Sequence, residues 1–539
     1  MTVAPVADAA RSRPESEAPP GRRAGRILWA FALISVLPAV VPLVSLVVRV
    51  AGATDSAWSV LFSARTAGLV GRSVLFTLAV TGSAVVIGVA AAWLTVRVDL
   101  PARRAWAVLV GLPLVVPSYV IALTYLASFG PRGLLSDALG RQLPSVAGFP
   151  GAWLALTLST YPYVFLITRS ALLRFDPALD EAARGLGASR VRTFFSITVP
   201  QLRPAIAAGA LLAALYTLSD FGAVSLMRFD VFTRVIYAQY QGRLDRTPAA
   251  VLAILLIAVV LIVLWVEQRT RGRATYFPRG PRGIAPSIPT SRRAKAASLT
   301  FLAGLVTAGL GLPILTLTAW LVRGVARGDE LAMRWGALTG SVAGSGVAAL
   351  IAMAAAIPVA VLTIRHRRRA SRWLERGVYV IFSLPHITVA LAIVFFAASY
   401  LGPLYQSFAV LVVVYAVLFL AQAVGATGAA LLQSNPHLEE AARGLGRTAG
   451  QVMRLVTVPL VWRGVATGGA LVFLTTMKEL PATLLLRPTG FDTLAVRIWS
   501  SANELFYARA AAPALLLVAV SALPMYLVMR RAGEPVVRS

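Results

Sequence analysis

The sequence predicts an all-α membrane protein of about 12 transmembrane helices, built as two tandem six-helix halves with a parallel pseudo-twofold relation. Three observations carry this. Of the 539 residues 58% are hydrophobic and only 14% charged, with a mean hydropathy of +0.75, which leaves too little polar surface for a water-soluble domain. Apolar runs near the ~20 residues that cross a bilayer recur along the whole chain. And one polar segment is spelled twice: Glu181-Ala182-Ala183-Arg184-Gly185-Leu186-Gly187 returns as Glu440-Ala441-Ala442-Arg443-Gly444-Leu445-Gly446. After nine further residues the copies close with Ile197-Thr198-Val199-Pro200 and Val456-Thr457-Val458-Pro459.

Residues 1–26, rich in Arg, Pro, Ala and Glu, read as a disordered cytoplasmic tail without the apolar core or small-residue cleavage pattern of a signal peptide, so the first apolar run stays as a span. The first half, 27–267, carries runs at about 27–50, 73–96, 105–129, 150–168, 204–226 and 249–267. A cytoplasmic linker follows at 268–297, whose run from Phe277 to Gly283 has no helical periodicity. The second half, 298–530, carries runs at about 298–322, 340–364, 377–400, 407–432, 463–485 and 510–529, before a cytoplasmic tail at 531–539.

A register shift of 259 superposes the repeated segments and pairs Pro177 with Pro436 and Asp220 with Glu479. Upstream a shift of 268 pairs Pro117 with Pro385, and downstream a shift of 262 pairs Phe229-Asp230 with Phe491-Asp492. Small changes of shift are what loop insertions produce. Because six spans are an even number, both halves share one orientation.

The net charge of +29 invites a nucleic-acid reading, which its distribution excludes. With the N-terminus inside, about 35 of the 51 Lys and Arg fall in cytoplasmic segments, so the excess anchors topology and meets anionic lipid. Arg97, Arg103 and Arg104, the run Arg365 to Arg369, and Arg271 to Lys295 are the main clusters. Both termini and both repeated segments are therefore expected inside, and the segments near Ser136, Asp245, Asp329 and Glu504 outside. The absence of cysteine excludes disulfides and thiolate chemistry. His366, His386 and His437 form no ligand-spaced pair, and His386 reads as a packing or pore-lining residue.

Each repeated segment reads as an elbow of two short helices. Asp176-Pro177 and Asn435-Pro436 supply an N-cap and a first-turn Pro, while Asp180, Glu181, Glu439 and Glu440 place negative charge near the positive end of the helix. Gly187 and Gly446 suit a left-handed residue that ends this helix. The stretches Ser189 to Ser196 and Thr448 to Leu455 begin a second one, and Pro200 and Pro459 are expected to break the chain before it re-enters the bilayer. Ala182, Ala183, Ala441 and Ala442 allow close approach of a partner.

The pattern EAA, three residues, Gly, nine residues, then I-x-L-P resembles the cytoplasmic loop of permease subunits of ATP-binding-cassette importers, with Val199 and Val458 where Leu is usual. The resemblance implies that one chain replaces a pair of permease subunits in the cytoplasmic (inner) membrane of a prokaryote, served by two copies of an ATP-binding-cassette ATPase and an extracytoplasmic substrate-binding protein. It also implies alternating access, with ATPase coupling through Glu181, Ala182, Ala183, Gly187, Ala188 and Ser189 and through Glu440, Ala441, Ala442, Gly446, Arg447 and Thr448. No G-x-x-x-x-G-K-[ST] segment is present, so the chain is read as a transport subunit that is not itself an enzyme and binds no cofactor; ATP and Mg belong to the partner subunit. The stretches Ser219 to Ala223 and Lys478 to Pro488, with the Phe229 to Ile236 and Phe491 to Ile498 segments, resemble fused permeases for ferric iron. Relatives for thiamine or aminoalkylphosphonate would share the architecture.

Asp220, Lys478 and Glu479 lie inside expected spans, where an uncompensated charge costs on the order of 3 kcal/mol, so they should face the bundle interior or water. Carboxylate oxygens suit a ferric ion; equally, Asp220 and Lys478 could form a structural ion pair across the pseudo-twofold axis. A major-facilitator-type carrier also has 12 spans, but Val96 to Arg104 lacks the Gly- and Asp-containing basic motif expected there, and the elbows have no role in that mechanism.

Overall fold

A computed structural model describes residues 25–131, 133–173, 178–242, 244–270, 290–329, 335–366 and 368–532. The expected tail at 1–24, most of the linker (271–289) and the tail at 533–539 lie outside the described residues. Among those described, nine helices are long and apolar enough to cross a membrane, and two bent helix pairs could each supply one more span. In the first half these are Arg26–Ala51, Ala64–Arg97, the bent pair, Phe149–Leu172, Val191–Ser219 and Thr247–Arg269. The second half repeats the order with Arg292–Ala326, Trp335–Arg365, the second bent pair, Phe408–Gln433 and Gly450–Met477, and the helix Tyr507–Ala532 completes its six.

Three local expectations are corrected. The runs at 105–129 and 377–400 are not straight spans: Arg103–Val115 meets Ser118–Ser128 at 90°, and Arg369–Ser383 meets His386–Tyr400 at 102°. The breaks fall at Pro117 and Pro385. Each Pro lacks an N–H and forces its predecessor into extended backbone, with Val116 at ψ 120° and Leu384 at ψ 145°. The runs at 204–226 and 463–485 also end early, at Ser219 and Met477, and the short helices Gly222–Leu226 and Pro481–Leu486 follow.

The third correction concerns Pro200 and Pro459, which do not break the chain. Each follows a π-turn, Phe194–Thr198 or Met453–Thr457, and the helix runs on into the span. A third π-turn, Thr307–Gly311, precedes Pro313 in the same way. The widened turn moves aside the carbonyl that the Pro ring would strike and removes the bond Pro cannot donate.

Within each half the second, fourth and fifth spans pack together: Ala64–Arg97 on Phe149–Leu172 with Val199–Ser219, and Trp335–Arg365 on Phe408–Gln433 with Val458–Met477. Small residues set these crossings. A Cβ on Gly88 would lie 2.7 Å from the Val164 Cβ, and one on Gly464 would lie 2.5 Å from the Ala430 Cβ.

The first spans are exchanged. Arg26–Ala51 packs on the second half, where Leu28 packs against the cluster of Ala360, Val361, Leu431 and Val461 and the Arg49 guanidinium lies over Phe395 at 4.3 Å. Reciprocally, Arg292–Ala326 lies along the first half, held at one end by Lys295–Asp99 (2.7 Å) and at the other by Arg323–Asp137 (3.0 Å). Midway along it the Tyr125 hydroxyl donates to the Ala308 carbonyl at 3.1 Å, inside the third π-turn. Each half is thus clasped by a helix of the other.

Candidate functional site

The two elbows share one end of the molecule. The first begins with the helix Ala178–Gly185; residues 174–177, including the expected cap at Asp176-Pro177, and the side chains of Asp180 and Glu181 lie outside the described set. The second begins at Pro436, with the Asn435 side chain accepting from the His437 N–H at 3.0 Å. Both helices end identically. Gly187 and Gly446 sit at φ +86° and +81°. The Gly187 N–H reaches the Arg184 carbonyl (3.0 Å) and the Ala188 N–H the Ala183 carbonyl (3.0 Å); Gly446 to Arg443 (3.0 Å) and Arg447 to Ala442 (3.1 Å) repeat the pattern. This is a Schellman ending, and the left-handed residue it requires is the reason for Gly. Ser189 and Thr448 then accept from the Arg192 and Gln451 N–H groups and start the second helices.

Leu186 and Leu445 lie inside the repeated segment, where the sequence does not distinguish an exposed leucine from a buried one. They stand 90% and 84% exposed at equivalent positions on the elbow tips, the most exposed apolar side chains there among the described residues. The second elbow is braced from within: buried Glu439 accepts from Arg365 at 3.1 Å, and Arg365 also donates to the Ser434 hydroxyl at 2.7 Å. The elbow is therefore fixed to the ends of the second and fourth spans.

Deeper in, the ends of the fifth spans meet the bends of the third spans. Asp220 is buried, and its Oδ1 accepts from the Ala223 and Val224 N–H groups (3.0 and 3.4 Å), capping Gly222–Leu226. Its Oδ2 accepts from the Ser118 hydroxyl at the start of Ser118–Ser128. In the second half Glu479 is also buried; Oε1 accepts from the Ala482 N–H (3.1 Å) and caps Pro481–Leu486. Its Oε2 lies 2.7 Å from the His386 Nδ1 at the start of His386–Tyr400. The shift of 268 that pairs Pro117 with Pro385 pairs Ser118 with His386, so the two acid sites are counterparts.

The ion pair considered for Asp220 and Lys478 is not formed. The Lys478 ammonium instead donates to the Leu114 carbonyl at 3.0 Å, because the bend at Pro117 removes the N–H that would have taken that oxygen. His386, expected as a packing or pore-lining residue, is the partner of Glu479.

Beyond these acids, toward the end opposite the elbows, two equivalent helices close over the axis. Phe232–Gly242 and Leu494–Asn503 bring Tyr237 and Trp499, counterparts at a shift of 262, to a ring separation of 6.0 Å. Phe221, 1% exposed, packs on Tyr237 at 4.7 Å. Each helix is tied to its own half: the Ser73 hydroxyl accepts from the Phe232 N–H (3.3 Å) and Ser341 from the Leu494 N–H (2.8 Å). The Phe-Asp pairs lie at this end, with Asp230 bound to Arg234 and Asp492 to both Arg487 and Arg497.

A duplicated six-span bundle with exchanged first spans thus carries paired elbows at one end and paired buried acids in its middle within a single chain. The family model for binding-protein-dependent transport system inner membrane components matches residues 84–272 and again 348–533, and the chain belongs to that family. It is a multi-pass inner-membrane permease of the ATP-binding-cassette importer class. Among its relatives, the Fe(3+)-transport system permease protein FbpB 2 of Haemophilus influenzae is 31% identical over 512 residues, covering 94% of this chain and 98% of that protein. The molybdenum transport system permease protein ModB of Escherichia coli is 34% identical over 234 residues, which is 41% of this chain and 98% of that protein. One half here thus corresponds to a complete separate permease. The ferric transport system permease protein FbpB of Actinobacillus pleuropneumoniae is 30% identical over 190 residues, 33% of this chain and 28% of that protein.

Proposed function

We propose that this chain forms the translocation pathway of an ATP-driven importer for ferric iron. The observation that carries the reading is the identity that runs through both halves to the Fe(3+) permease of Haemophilus influenzae, joined to a buried carboxylate at the equivalent depth in each half. Carboxylate oxygen is a hard ligand suited to a hard, highly charged cation. Asp220 and Glu479 each use one oxygen to cap the short helix that follows, which fixes the group; the second oxygen, held by Ser118 or by His386, is the one that exchanges its partner for cargo.

In this reading the elbow end is cytoplasmic. Two ATPase subunits, which hold ATP and Mg, seat against Glu181 to Ser189 and Glu440 to Thr448, with Leu186 and Leu445 entering apolar recesses on them. The aromatic closure of Tyr237, Trp499 and Phe221 lies on the outer side, below the surface that receives the loaded binding protein. Closure of the ATPase pair pushes the elbows together, and the braces from Arg365 pass that motion to the second and fourth spans. The halves then part at the outer side and admit the ferric ion between the two acids.

A second reading, import of an oxyanion, is favoured by one feature: the Lys478 ammonium faces the seam between the halves without a carboxylate partner among the described residues. The relation to the molybdenum permease is in keeping with it. Single cysteines in this naturally cysteine-free chain test the common arrangement. Cysteines at Leu186 and Leu445 should be shielded from impermeant maleimide in intact cells and protected in inside-out vesicles when the ATPase is bound. Labelling of either position in intact cells overturns the assignment of sides, and unchanged labelling of inside-out vesicles on ATPase addition overturns the docking.

A further inference from the structure

Ser219 and Lys478 are counterparts at a shift of 259, each immediately before the acid of its half. Each reaches across to the bend of the other half. The Ser219 hydroxyl oxygen accepts from the His386 N–H at 3.1 Å; the Lys478 ammonium donates to the Leu114 carbonyl at 3.0 Å. Both backbone groups are orphans made by the bends. The first N–H groups of His386–Tyr400 have no intrahelical acceptor, and the Leu114 carbonyl loses its helical donor where the chain turns at Pro117. The residue types match the need: Ser has lone pairs to offer an N–H, and Lys, a donor only, can serve only a carbonyl. A buried backbone group left without a partner is costly, most of all in a membrane, so each contact resists separation of the halves.

We propose that Ser219 and Lys478 form a reciprocal latch between the two halves, holding the closed seam and yielding when the pathway opens outward. The inference rests on the importer reading for its mechanical meaning. Lys478 is accordingly a positioning residue that acts on the equilibrium between closed and open seams and does not bind cargo. Leu480 reports that seam directly: it is 1% exposed, and a Cβ added to Gly222 of the other half would lie 3.2 Å from its Cδ2.

The test uses the full chain with its ATPase and binding protein in vesicles, carrying Leu480→Cys as the sole cysteine and probed by a water-soluble maleimide. Lys478→Met should raise the rate of labelling from the outside by about tenfold and Ser219→Ala by about fivefold, the charged contact being the stronger. Lys478→Arg and Ser219→Thr keep a donor and an acceptor and should label at close to the parent rate, which separates the latch from a general loss of folding. The concentration of loaded binding protein that half-saturates ATPase stimulation should fall or stay level in Lys478→Met. Labelling of Lys478→Met at the parent rate overturns the latch. So does weaker response to loaded binding protein with unchanged labelling, the outcome that a cargo-binding lysine would give. The labelling needs neither ATP nor cargo, so a failure of the importer reading and a failure of the latch are told apart.

Discussion

At position 118 the first half sets a serine hydroxyl against Asp220; at the equivalent position 386 the second half sets an imidazole against Glu479, and Ser219 before the first acid is answered by Lys478 before the second. What is common to both sites is what the backbone requires. A Pro bends the third span, a carboxylate caps the short helix after the fifth, and the residue before that carboxylate satisfies a backbone group in the other half. What differs is the partner of the second carboxylate oxygen and the charge of the residue before it. The duplicated scaffold holds its geometry while each half meets its own backbone need with its own side chain, a hydroxyl accepting from an N–H in one and an ammonium donating to a carbonyl in the other, and so the two sites differ in chemistry on one plan.

The elbows are where the halves should behave alike, and there the largest effects are expected. Gly187→Val and Gly446→Val each force a β-branched residue into left-handed backbone at a cost of roughly 2 kcal/mol, so each should lower ATP-driven uptake about tenfold and the pair about a hundredfold. Uptake assays on the two single variants check this. Equal losses keep the elbows equivalent; a loss confined to one elbow breaks the comparison there.

At the acids both halves should respond, and the kinds of variant should separate by degree. Asp220→Asn and Glu479→Gln retain an oxygen for the cap but lose charge, and each should reduce uptake about tenfold with little change in thermal stability. Asp220→Ala and Glu479→Ala remove the cap as well and should cost about 1 kcal/mol more in stability, read as a lower melting temperature of the detergent-solubilised complex. If alanine and amide variants melt alike, the capping role assigned to both acids is wrong.

The smallest effect belongs to the exchanged span. Lys295 draws the exposed Asp99 carboxyl below its usual range through a hydrogen bond and its charge. A lowered carboxyl pKa gives a contact that is complete above the ordinary value of 3.8 and lost only as pH falls through the lower folded value. Stability should therefore be indifferent to Lys295→Met between about pH 5 and pH 8, the pair being exposed to solvent. A clear loss of stability in Lys295→Met across that window, measured by thermal melts, would show the exchanged span to be held by more than packing.

The six-plus-six plan, the elbows and the paired acids were legible because each is written in local chemistry or in the repeat: apolar runs, a Gly at a helix end, equal residues at a fixed shift. The bends at Pro117 and Pro385 were not, because an unbroken apolar run has the same composition whether it crosses the bilayer straight or turns by 90°, although the two prolines were already paired by the repeat. The partnership of His386 with Glu479 was missed for a different reason. Histidine was weighed alone, whereas carrying the shift of 268 one residue past the paired prolines would have set it opposite Ser118. The exchange of first spans leaves no mark in the sequence, since it is decided by packing between segments hundreds of residues apart.

The measurement that bears most directly on the account is ATP-dependent accumulation of radiolabelled ferric iron in vesicles holding this chain, its ATPase and its binding protein, with molybdate, sulfate, thiamine and an aminoalkylphosphonate as competitors. The account predicts iron uptake that needs all three components, is unaffected by the competitors and falls in both Asp220→Asn and Glu479→Gln. Uptake of an oxyanion or of thiamine with no accumulation of iron would contradict it.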